Sequence, residues 1–393
     1  LAAVNPPVVS IVSVGGADKV VSAQAGDNVI RGTALAANGD VTILLGDVVL
    51  GTATPANGVW TYTLTEANLE VMGQGSGKAL TATQTKTVGE TDYTGSASVT
   101  VGVDTVAPVG LTMDAVATNN AINAAEKAAG VTIGGAAEAG AVVALNVAGS
   151  TKLLNVVEGR WSYTLSAADY KAMGSSAQIS AVATDVAGNA SQAVSRSVSI
   201  DTTAPTLGLV SLTSDSDSGL KGDGRTNVGS PTIQFTAEKD AVLSLSTDGG
   251  KTFAAAGTGT GELQTLSVAL ADGPNAVVLK AEDTAGNLST RTATLVLDSQ
   301  GPAFVSATTA AVDENKGANV LVYQAQTGDA VNVTYALKAG GDAASFSIDA
   351  KTGQVKLLAS ADFETKPSYR LTVQATDAAG NVSEQALTLN VTD

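Results

Sequence analysis

The 393-residue sequence contains no cysteine and no histidine. Their absence excludes disulfides, zinc sites built from thiolate or imidazole, cysteine nucleophiles and histidine general bases. Any metal ion must therefore be bound by oxygen atoms, and calcium is the ion that such ligands favour. Aromatic residues are also scarce, at 4% of the chain, so the cores must rely on smaller side chains.

Positive charge is scarce as well. Lys and Arg number 21 against 37 Asp and Glu, which gives a formal net charge of −16. Such a surface is a poor partner for nucleic acid or anionic membranes and a good one for multivalent cations. No apolar run approaches the roughly 18 residues of a membrane helix, so we expect no membrane insertion. No signal segment opens the sequence, which starts in mid-pattern at Leu1, and we expect a piece of a longer protein.

Small and β-branched residues dominate what is present. Apolar residues make up 44% of the chain and glycines number 42, a composition typical of short strands joined by tight turns. The length suits three or four domains of about 100–150 residues each. The composition therefore predicts an all-β protein with several domains.

The sequence repeats itself. The pattern Asp-x-x-x-Pro occurs at Asp104, Asp201 and Asp298, at intervals of 97 residues, and Asp-x-Ala-Gly-Asn occurs three times. These intervals predict four tandem β-sandwiches in an elongated rod. We expect Ig-like sandwiches at 1–104, 105–201 and 202–298, and a cadherin-like sandwich at 299–393.

Local patterns within the repeats predict strands and a few helical turns. The strand-like runs in the second repeat are residues 142–147, 179–184 and 194–200. Short helices are expected at 65–72, 166–173 and 123–129. The motif Trp-x-Tyr-Thr-Leu, at Trp60 and again at Trp161, is typical of a core strand, because alternate residues share one face; the alternative is an exposed aromatic platform for sugar.

Acidic residues fall where a sandwich brings distant loops together. The loop between the second and third strands, the loop between the last two strands, and the preceding linker should all lie at the N-terminal end of a repeat. The acids at these places are Asp104, Glu138 and Asp185; then Asp201, Glu238 and Asp283; then Asp298, Asp329 and Asp377. Like charges held so close repel unless a cation compensates them, which predicts calcium at three junctions.

Simpler interpretations stay open. Asp-x-Ala-Gly-Asn is also the sequence of a hairpin turn, and Asp-x-x-x-Pro can merely end a linker. The first repeat departs from the pattern, since residues 89–93 replace the turn motif. A further acidic loop in the third repeat predicts calcium at Asp215, Asp217 and Asp223, with a solvated acidic loop as the alternative.

The first three repeats resemble the bacterial Ig-like repeats of giant RTX-type adhesins exported by type I secretion. The residues that carry this resemblance are 104–108, 201–205, 184–189 and 136–140. The resemblance implies calcium at the junctions between domains and a rod that holds a binding module away from the cell.

The fourth repeat resembles a cadherin repeat. The resemblance rests on residues 312–315, 346–355, 361–364 and 373–377. It implies a calcium site at the C-terminal end of the repeat, formed by Glu314, Asp362, Glu364 and Asp393.

Together these observations predict a calcium-stiffened extender segment of a bacterial surface adhesin in cell adhesion or biofilm formation. We expect it to be extracellular, monomeric and non-enzymatic, because its acids lie at domain ends and not in a cleft. Its expected partners are calcium ions, neighbouring domains of the parent adhesin, and a host or biofilm surface ligand. The alternative is a receptor-binding segment, in which the first or the cadherin-like repeat contacts a host protein or glycan.

Overall fold

The computed structural model describes residues 4–328 and 332–393. Strands make up 49% of the chain and helices 7%, which confirms the all-β prediction. The longest helices within the described residues have seven residues, far too few to cross a membrane. Asp329, one of the predicted calcium ligands, lies outside the described residues.

The chain divides into two compact units, Leu1–Thr202 and Thr203–Asp393. Each unit contains two β-sandwiches, and each sandwich has its own buried core. We refer to the four sandwiches as the first to fourth repeats. The boundaries at 104, 201 and 298 and the rod-like arrangement stay predictions.

The first repeat packs a three-stranded sheet, in the order β1-β3-β6, on a five-stranded sheet, in the order β2-β8-β7-β4-β5. Its strands are β1 Ser10–Val14, β2 Val20–Val21, β3 Val29–Thr33, β4 Val41–Leu45, β5 Val48–Ala53, β6 Val59–Thr63, β7 Gly75–Val88 and β8 Thr91–Val103. Its helices are the 3-10 segment Ala36–Asn38 and α1 Glu66–Met72.

The second repeat has sheets in the orders β10-β13 and β12-β11-β14-β15-β9. Its strands are β9 Ala121–Ile122, β10 Thr132–Ala136, β11 Val142–Val147, β12 Ser150–Asn155, β13 Arg160–Thr164, β14 Ser176–Thr184 and β15 Val194–Ile200. Its helices are α2 Ala124–Ala129 and α3 Ala167–Met173. The three strand-like runs predicted in this repeat all lie in strands.

The third repeat has sheets in the orders β16-β18-β21 and β17-β23-β22-β19-β20. Its strands are β16 Ser211–Leu212, β17 Arg225–Thr226, β18 Thr232–Thr236, β19 Val242–Ser246, β20 Ala254–Thr258, β21 Leu263–Ser267, β22 Gly273–Glu282 and β23 Leu288–Leu297.

The fourth repeat has sheets in the orders β24-β30-β29-β26 and β25-β28-β27. Its strands are β24 Thr309–Asp313, β25 Val320–Gln324, β26 Thr334–Leu337, β27 Phe346–Ile348, β28 Gln354–Leu357, β29 Ser368–Thr376 and β30 Val382–Thr392. A 3-10 segment, Ala343–Ser345, precedes β27.

The three short helices begin at capping boxes. The side chains of Thr65, Asn123 and Ser166 each accept a hydrogen bond from the backbone N–H three residues later, and the side chain at that later position accepts one in return. Such boxes satisfy backbone donors that would otherwise lack partners, so even helices of two turns are defined. The three helical predictions are confirmed.

The Trp-x-Tyr-Thr-Leu motif forms core strands, β6 and β13. Trp60 and Trp161 are almost completely buried. Each pairs across the sheet with a glycine, Gly32 or Gly135. The prediction of a core strand is confirmed, and the aromatic-platform alternative is wrong.

In every repeat, one short early strand runs parallel to the last strand. This pairing continues into the linker, because the N–H of the linker aspartate donates to the early strand. Asp104 donates to the carbonyl of Val21 at 3.0 Å, and Asp298 donates to that of Thr226 at 2.9 Å. The linker aspartates are thus anchored by main-chain bonds to the repeat that precedes them.

Candidate calcium sites at the ends of the repeats

The Asp-x-Ala-Gly-Asn motif forms the same turn in the second, third and fourth repeats. In each, the N–H of the aspartate donates to the carbonyl of the asparagine at 3.1 Å. In the second repeat, Asp185 accepts from the N–H of Asn189 at 2.8 Å and from its side-chain amide at 3.0 Å. The turn therefore uses both carboxylate oxygens of its aspartate, although each keeps further lone pairs.

The asparagine of this turn connects two repeats. The side-chain amide of Asn189 donates both to Asp185 and to the main-chain carbonyl of Asp104, the latter at 3.0 Å. Asn381 bonds Asp298 in the same way at 2.7 Å, while also donating to Asp377. Asp104 and Asp298 are thus each bonded through the N–H to the preceding repeat and through the carbonyl to the following one.

The predicted glutamates lie beside the first segment of their own repeats. Glu138 accepts a hydrogen bond from the N–H of Val109 at 3.0 Å, and Glu238 accepts one from the N–H of Thr206 at 2.9 Å. One oxygen of each carboxylate therefore orients the chain just after the linker. Asp201 and the pair Glu238 and Asp283 belong to different compact units, and their shared site stays a prediction.

Within residues 4–328 and 332–393, one group of three carboxylates lies within the reach of a single ion. It consists of Glu314, Asp362 and Glu364, whose nearest oxygens lie within 4.8 Å of one another. The structure thus brings together three of the four residues that the cadherin resemblance implied. Within each compact unit, the described junction carboxylates form no group of this kind, and the junction sites stay predictions.

The local structure around this cluster orients its carboxylates. Glu314 follows β24, and its N–H donates to the carbonyl of Thr392, the neighbour of Asp393. Its side chain accepts from the N–H of Phe363 at 3.0 Å. Hydrogen bonds from Thr365 lower the pKa of Asp362, so this carboxylate stays charged to lower pH than usual.

The acidic loop of the third repeat is organised differently. Asp217 is more than nine-tenths buried, and one of its oxygens accepts from the N–H of Gly222 at 2.5 Å. The other oxygen has no hydrogen-bond partner among the described residues. The ammonium group of Lys221 donates to the carbonyls of Ser214, at 2.9 Å, and Asp217. Calcium binding by Asp215, Asp217 and Asp223 stays a prediction, in a loop that already contains a cation of its own.

The structure also shows a buried acid that the sequence did not single out. Asp169 accepts from Ser166 and from the hydroxyl of Tyr163, and lies 3.3 Å from the ammonium of Lys152. Burial opposes ionisation of Asp169, but these donors outweigh it and hold its pKa well below the usual range. Ser-x-x-Asp before an apolar helix was a signal for the capping role, though not for the ion pair.

The asparagines of the turn motif were missed as functional residues. Sequence reasoning assigned the calcium role to the aspartates and treated Asn189 and Asn381 only as part of a turn. Their recurrence four residues after each aspartate was the available signal, because an amide can donate to a carboxylate and to a main-chain carbonyl at once.

Comparisons with known proteins agree with these domain types. Residues 203–299 match the family model of the bacterial Ig-like domain, and residues 308–392 match that of the cadherin domain. The first match coincides with the third repeat and the second with the fourth repeat. A segment of 59 residues, 15% of the chain, is 39% identical to human protocadherin Fat 1 and spans about 1% of that protein.

Solved structures with similar folds come from bacterial adhesins and from animal cell-surface proteins. A Ca2+-stabilised adhesin with which an Antarctic bacterium binds ice matches over 98% of this chain and 99% of its own, at 22% identity and a TM-score of 0.36. A 1.5-MDa bacterial ice-binding adhesin matches over 75% and 99%, at 20% identity and 0.33. Three cadherin domains of mouse PcdhgC3 match over 64% and 89%, at 17% and 0.31.

Proposed function

We propose that this chain is a calcium-stiffened extender segment of a bacterial surface adhesin that presents a distal ligand-binding module. The Ig-like and cadherin domains support a segment of a surface adhesin. The observation that carries the calcium role is the position of the linker aspartates. The N–H of Asp104 and that of Asp298 donate to the preceding repeat. Their carbonyls accept from the side-chain amide of an asparagine in the following repeat, which also donates to the turn aspartate of that repeat.

The charge at these junctions supports a cation. At the first junction, Asp104 and Asp185 are bonded to the same asparagine amide, and Glu138 accepts from the N–H of Val109 just after the linker. The chain has no cysteine or histidine that could replace these acids as ligands. Carboxylates, main-chain carbonyls and water are the ligands that calcium prefers. A bound ion would hold the linker and the next repeat in one orientation, whereas unscreened repulsion would drive them apart.

The cluster in the cadherin domain supports a further site. Calcium ligands lie about 2.3–2.6 Å from the ion, so two ligands of one ion are at most about 5 Å apart. Glu314, Asp362 and Glu364, within 4.8 Å of one another, meet this condition. Asp393 would add a fourth carboxylate from the end of the last strand, and further oxygens would come from the main chain and water.

Export as an RTX-type adhesin by type I secretion and a role in biofilms belong to the same proposal. They rest on the domain types and on the acidic, cysteine-free composition, which suits a secreted protein in millimolar calcium. The partners would be calcium ions, the neighbouring domains of the parent adhesin and the surface that the distal module binds.

Small-angle X-ray scattering tests the stiffening. In millimolar calcium we expect a larger maximum dimension and lower flexibility than in chelator, because the ions suppress bending at the junctions. Magnesium at equal ionic strength is the control, since it demands octahedral geometry and retains its water. Equal maximum dimensions and equal flexibility in calcium, magnesium and chelator would contradict the proposal.

One observation favours a receptor-binding role for the first repeat. There β7 and β8 pair as far as Val88 and Thr91, while β4 accompanies β7 only to Gln84. The resulting ribbon is mostly exposed and replaces the short turn of the later repeats. Binding of the chain to host cells or glycans, lost when residues 86–93 are replaced by Asp-Ala-Ala-Gly-Asn, would support this alternative. Unchanged binding would contradict it.

A further inference from the structure

The third and fourth repeats touch through a direct contact that contains no carboxylate. The contact joins Ser218–Leu220, in the acidic loop before β17, to Ala378–Gly380, in the turn between β29 and β30. The N–H of Leu220 donates to the carbonyl of Ala378 at 3.0 Å, and the hydroxyl of Ser218 donates to that of Ala379 at 2.5 Å. We call this contact the clasp.

The clasp is closely packed at its centre. Gly219 has a φ of +60°, and a Cβ placed there would lie 2.2 Å from the carbonyl oxygen of Ala378 and 2.6 Å from the N–H nitrogen of Gly380. A Cβ on Gly380 would in turn meet the backbone of Gly219 at 3.0 Å. Since backbone atoms on both sides set these distances, only glycine allows the two loops to approach this closely.

The loop on the Ig-like side is held in place by its own bonds. The hydroxyl of Ser218 accepts from the N–H of Asn227 at 2.8 Å while it donates across the clasp. The ammonium of Lys221 ties the carbonyls of Ser214 and Asp217 together. A positive charge of the chain itself thus binds two main-chain oxygens of this loop.

The first junction offers a comparison within the same chain. There the equivalent turn glycine, Gly188, faces the side chain of Gln24, whose Cγ would lie 3.6 Å from a Cβ on the glycine. Within the described residues, no main-chain hydrogen bond joins the loop around Gln24 to the turn at Gly188. At both junctions an asparagine amide donates to the carbonyl of the linker aspartate, a contact we call the asparagine bridge. The clasp is present at the junction between the third and fourth repeats, whereas the first junction has no such main-chain contact among the described residues.

We propose that the clasp locks the junction between the Ig-like and cadherin domains without metal. The chain then combines one junction that is rigid at any calcium concentration with a first junction whose rigidity depends on the ion. Calcium bound near Asp298 and Asp377 would then stabilise this junction without being needed for its rigidity, so the lock is independent of calcium binding.

Electron–electron distance measurements on the full chain test the lock. Because the chain has no cysteine, pairs of introduced cysteines at exposed strand positions carry unique spin labels. Thr292 and Lys356 report on the clasped junction, and Thr61 and Thr151 report on the first. We expect the 292/356 distance distribution to stay equally narrow in calcium and in chelator. A distribution that broadens on chelation would overturn the lock.

Gly219→Ala should broaden the 292/356 distribution in chelator, because the added methyl forces the loops apart. Gly222→Ala is the matched control, since Gly222 also has a positive φ, of +83°, but nothing lies within 4 Å of its Cβ position. Equal distributions for the two variants would contradict the clasp. If circular dichroism shows that Gly219→Ala misfolds, Lys221→Met takes its place, and a folded Lys221→Met with the wild-type distribution in chelator would also contradict it.

The 61/151 pair separates this inference from the proposed function. If chelator leaves both the 61/151 and the 292/356 distance distributions unchanged and narrow, calcium stiffening of the first junction is refuted and the lock is supported. If chelator broadens both distance distributions, the lock is refuted and calcium stiffening is supported.

Discussion

At the scale of single residues, hydrogen-bond partners decide what each acid can do. Both carboxylate oxygens of Asp185 accept hydrogen bonds from its own turn, whereas one oxygen of Glu138 accepts from the N–H of Val109. Glu364 lies in the carboxylate cluster and is exposed. Removing its charge should therefore report on metal binding with little effect on the fold.

We predict that Glu364→Gln weakens calcium binding at the cluster by about tenfold or more, because one anionic ligand is lost. Isothermal titration of the full chain should show one class of site weakened, with the unfolding temperature in chelator unchanged. Asp47→Asn, an exposed acid in the turn between β4 and β5, is the control for net charge. An identical isotherm for Glu364→Gln and the wild type would exclude the cluster as a site.

We predict that Asp169→Asn destabilises the second repeat by about 2 kcal/mol near neutral pH, since Ser166, Tyr163 and Lys152 lose a charged acceptor that is itself buried. The neutral Asn68, which accepts from Tyr62 and Thr65 in the first repeat, shows that the shape is tolerated. The folded-state pKa of Asp169 is depressed, so its stabilisation is present above about pH 4 and is lost as pH falls. The gap between variant and wild type should therefore shrink in acid.

Denaturant unfolding followed by the fluorescence of Trp161, in a Trp60→Phe background, measures this effect at pH 7 and pH 3. Asp114→Asn is the control in the same repeat, because its ion pair with Arg160 is exposed and should contribute less than about 1 kcal/mol. Equal losses for the two variants at pH 7 would contradict the role of burial.

At the scale of secondary-structure elements, the glycine opposite each tryptophan lets the first segment of the repeat pack closely against the core strands. Gly135 lies opposite Trp161, and a Cβ there would meet the carbonyl oxygen of Thr112 at 2.0 Å. Gly32 has the same relation to Ser10, at 1.9 Å. The missing side chain lets the first segment of the repeat cross close to the strand that carries the indole.

We predict that Gly135→Ala costs the second repeat about 3 kcal/mol, because a backbone segment must shift to admit the methyl group. Gly149→Ala, in the turn between β11 and β12, is the control. Its φ of +85° costs about 1 kcal/mol for alanine, but the space is open. Chemical unfolding followed through Trp161 would show the difference, and equal midpoints for the two variants would argue against close packing at Gly135.

At the scale of the whole molecule, the net charge of −16 and the acids at repeat ends lead us to expect that stability depends on cations. Weak sites suffice in a secreted protein, where calcium is millimolar. The asparagine bridges already connect neighbouring repeats within each compact unit without metal. Calcium is therefore expected to add rigidity and stability to repeats that fold without it.

We predict that millimolar calcium raises the unfolding temperature. For dissociation constants of roughly 10⁻⁴–10⁻³ M, calcium at 100 times that value stabilises by about 2.7 kcal/mol per independent site. Scanning calorimetry at matched ionic strength, with magnesium as control, measures the shift. An unfolding temperature indifferent to calcium would be inconsistent with ion binding by the folded chain.

Much of this protein follows from the sequence alone. The core strand at Trp161 and the helices at 65–72 and 166–173 can be predicted because each depends on residues a few positions apart. The 97-residue spacing is visible because short motifs recur along the chain. The absence of cysteine and histidine likewise restricts metal ligands to oxygen. The cadherin resemblance implied Glu314, Asp362 and Glu364 as one group, and the structure brings them together.

Only the tertiary structure decided which groups meet over long distances. Asn189 bonds the carbonyl of a residue 85 positions earlier, and Ser218 bonds one 161 positions later. Such contacts depend on how strands pair and how repeats pack, because a side chain's neighbours in sequence do not determine its neighbours in space. For the same reason the sequence predicted that Asp185 and Glu138 lie near a junction, but only the structure shows that they accept hydrogen bonds from the backbone N–H groups of Asn189 and Val109.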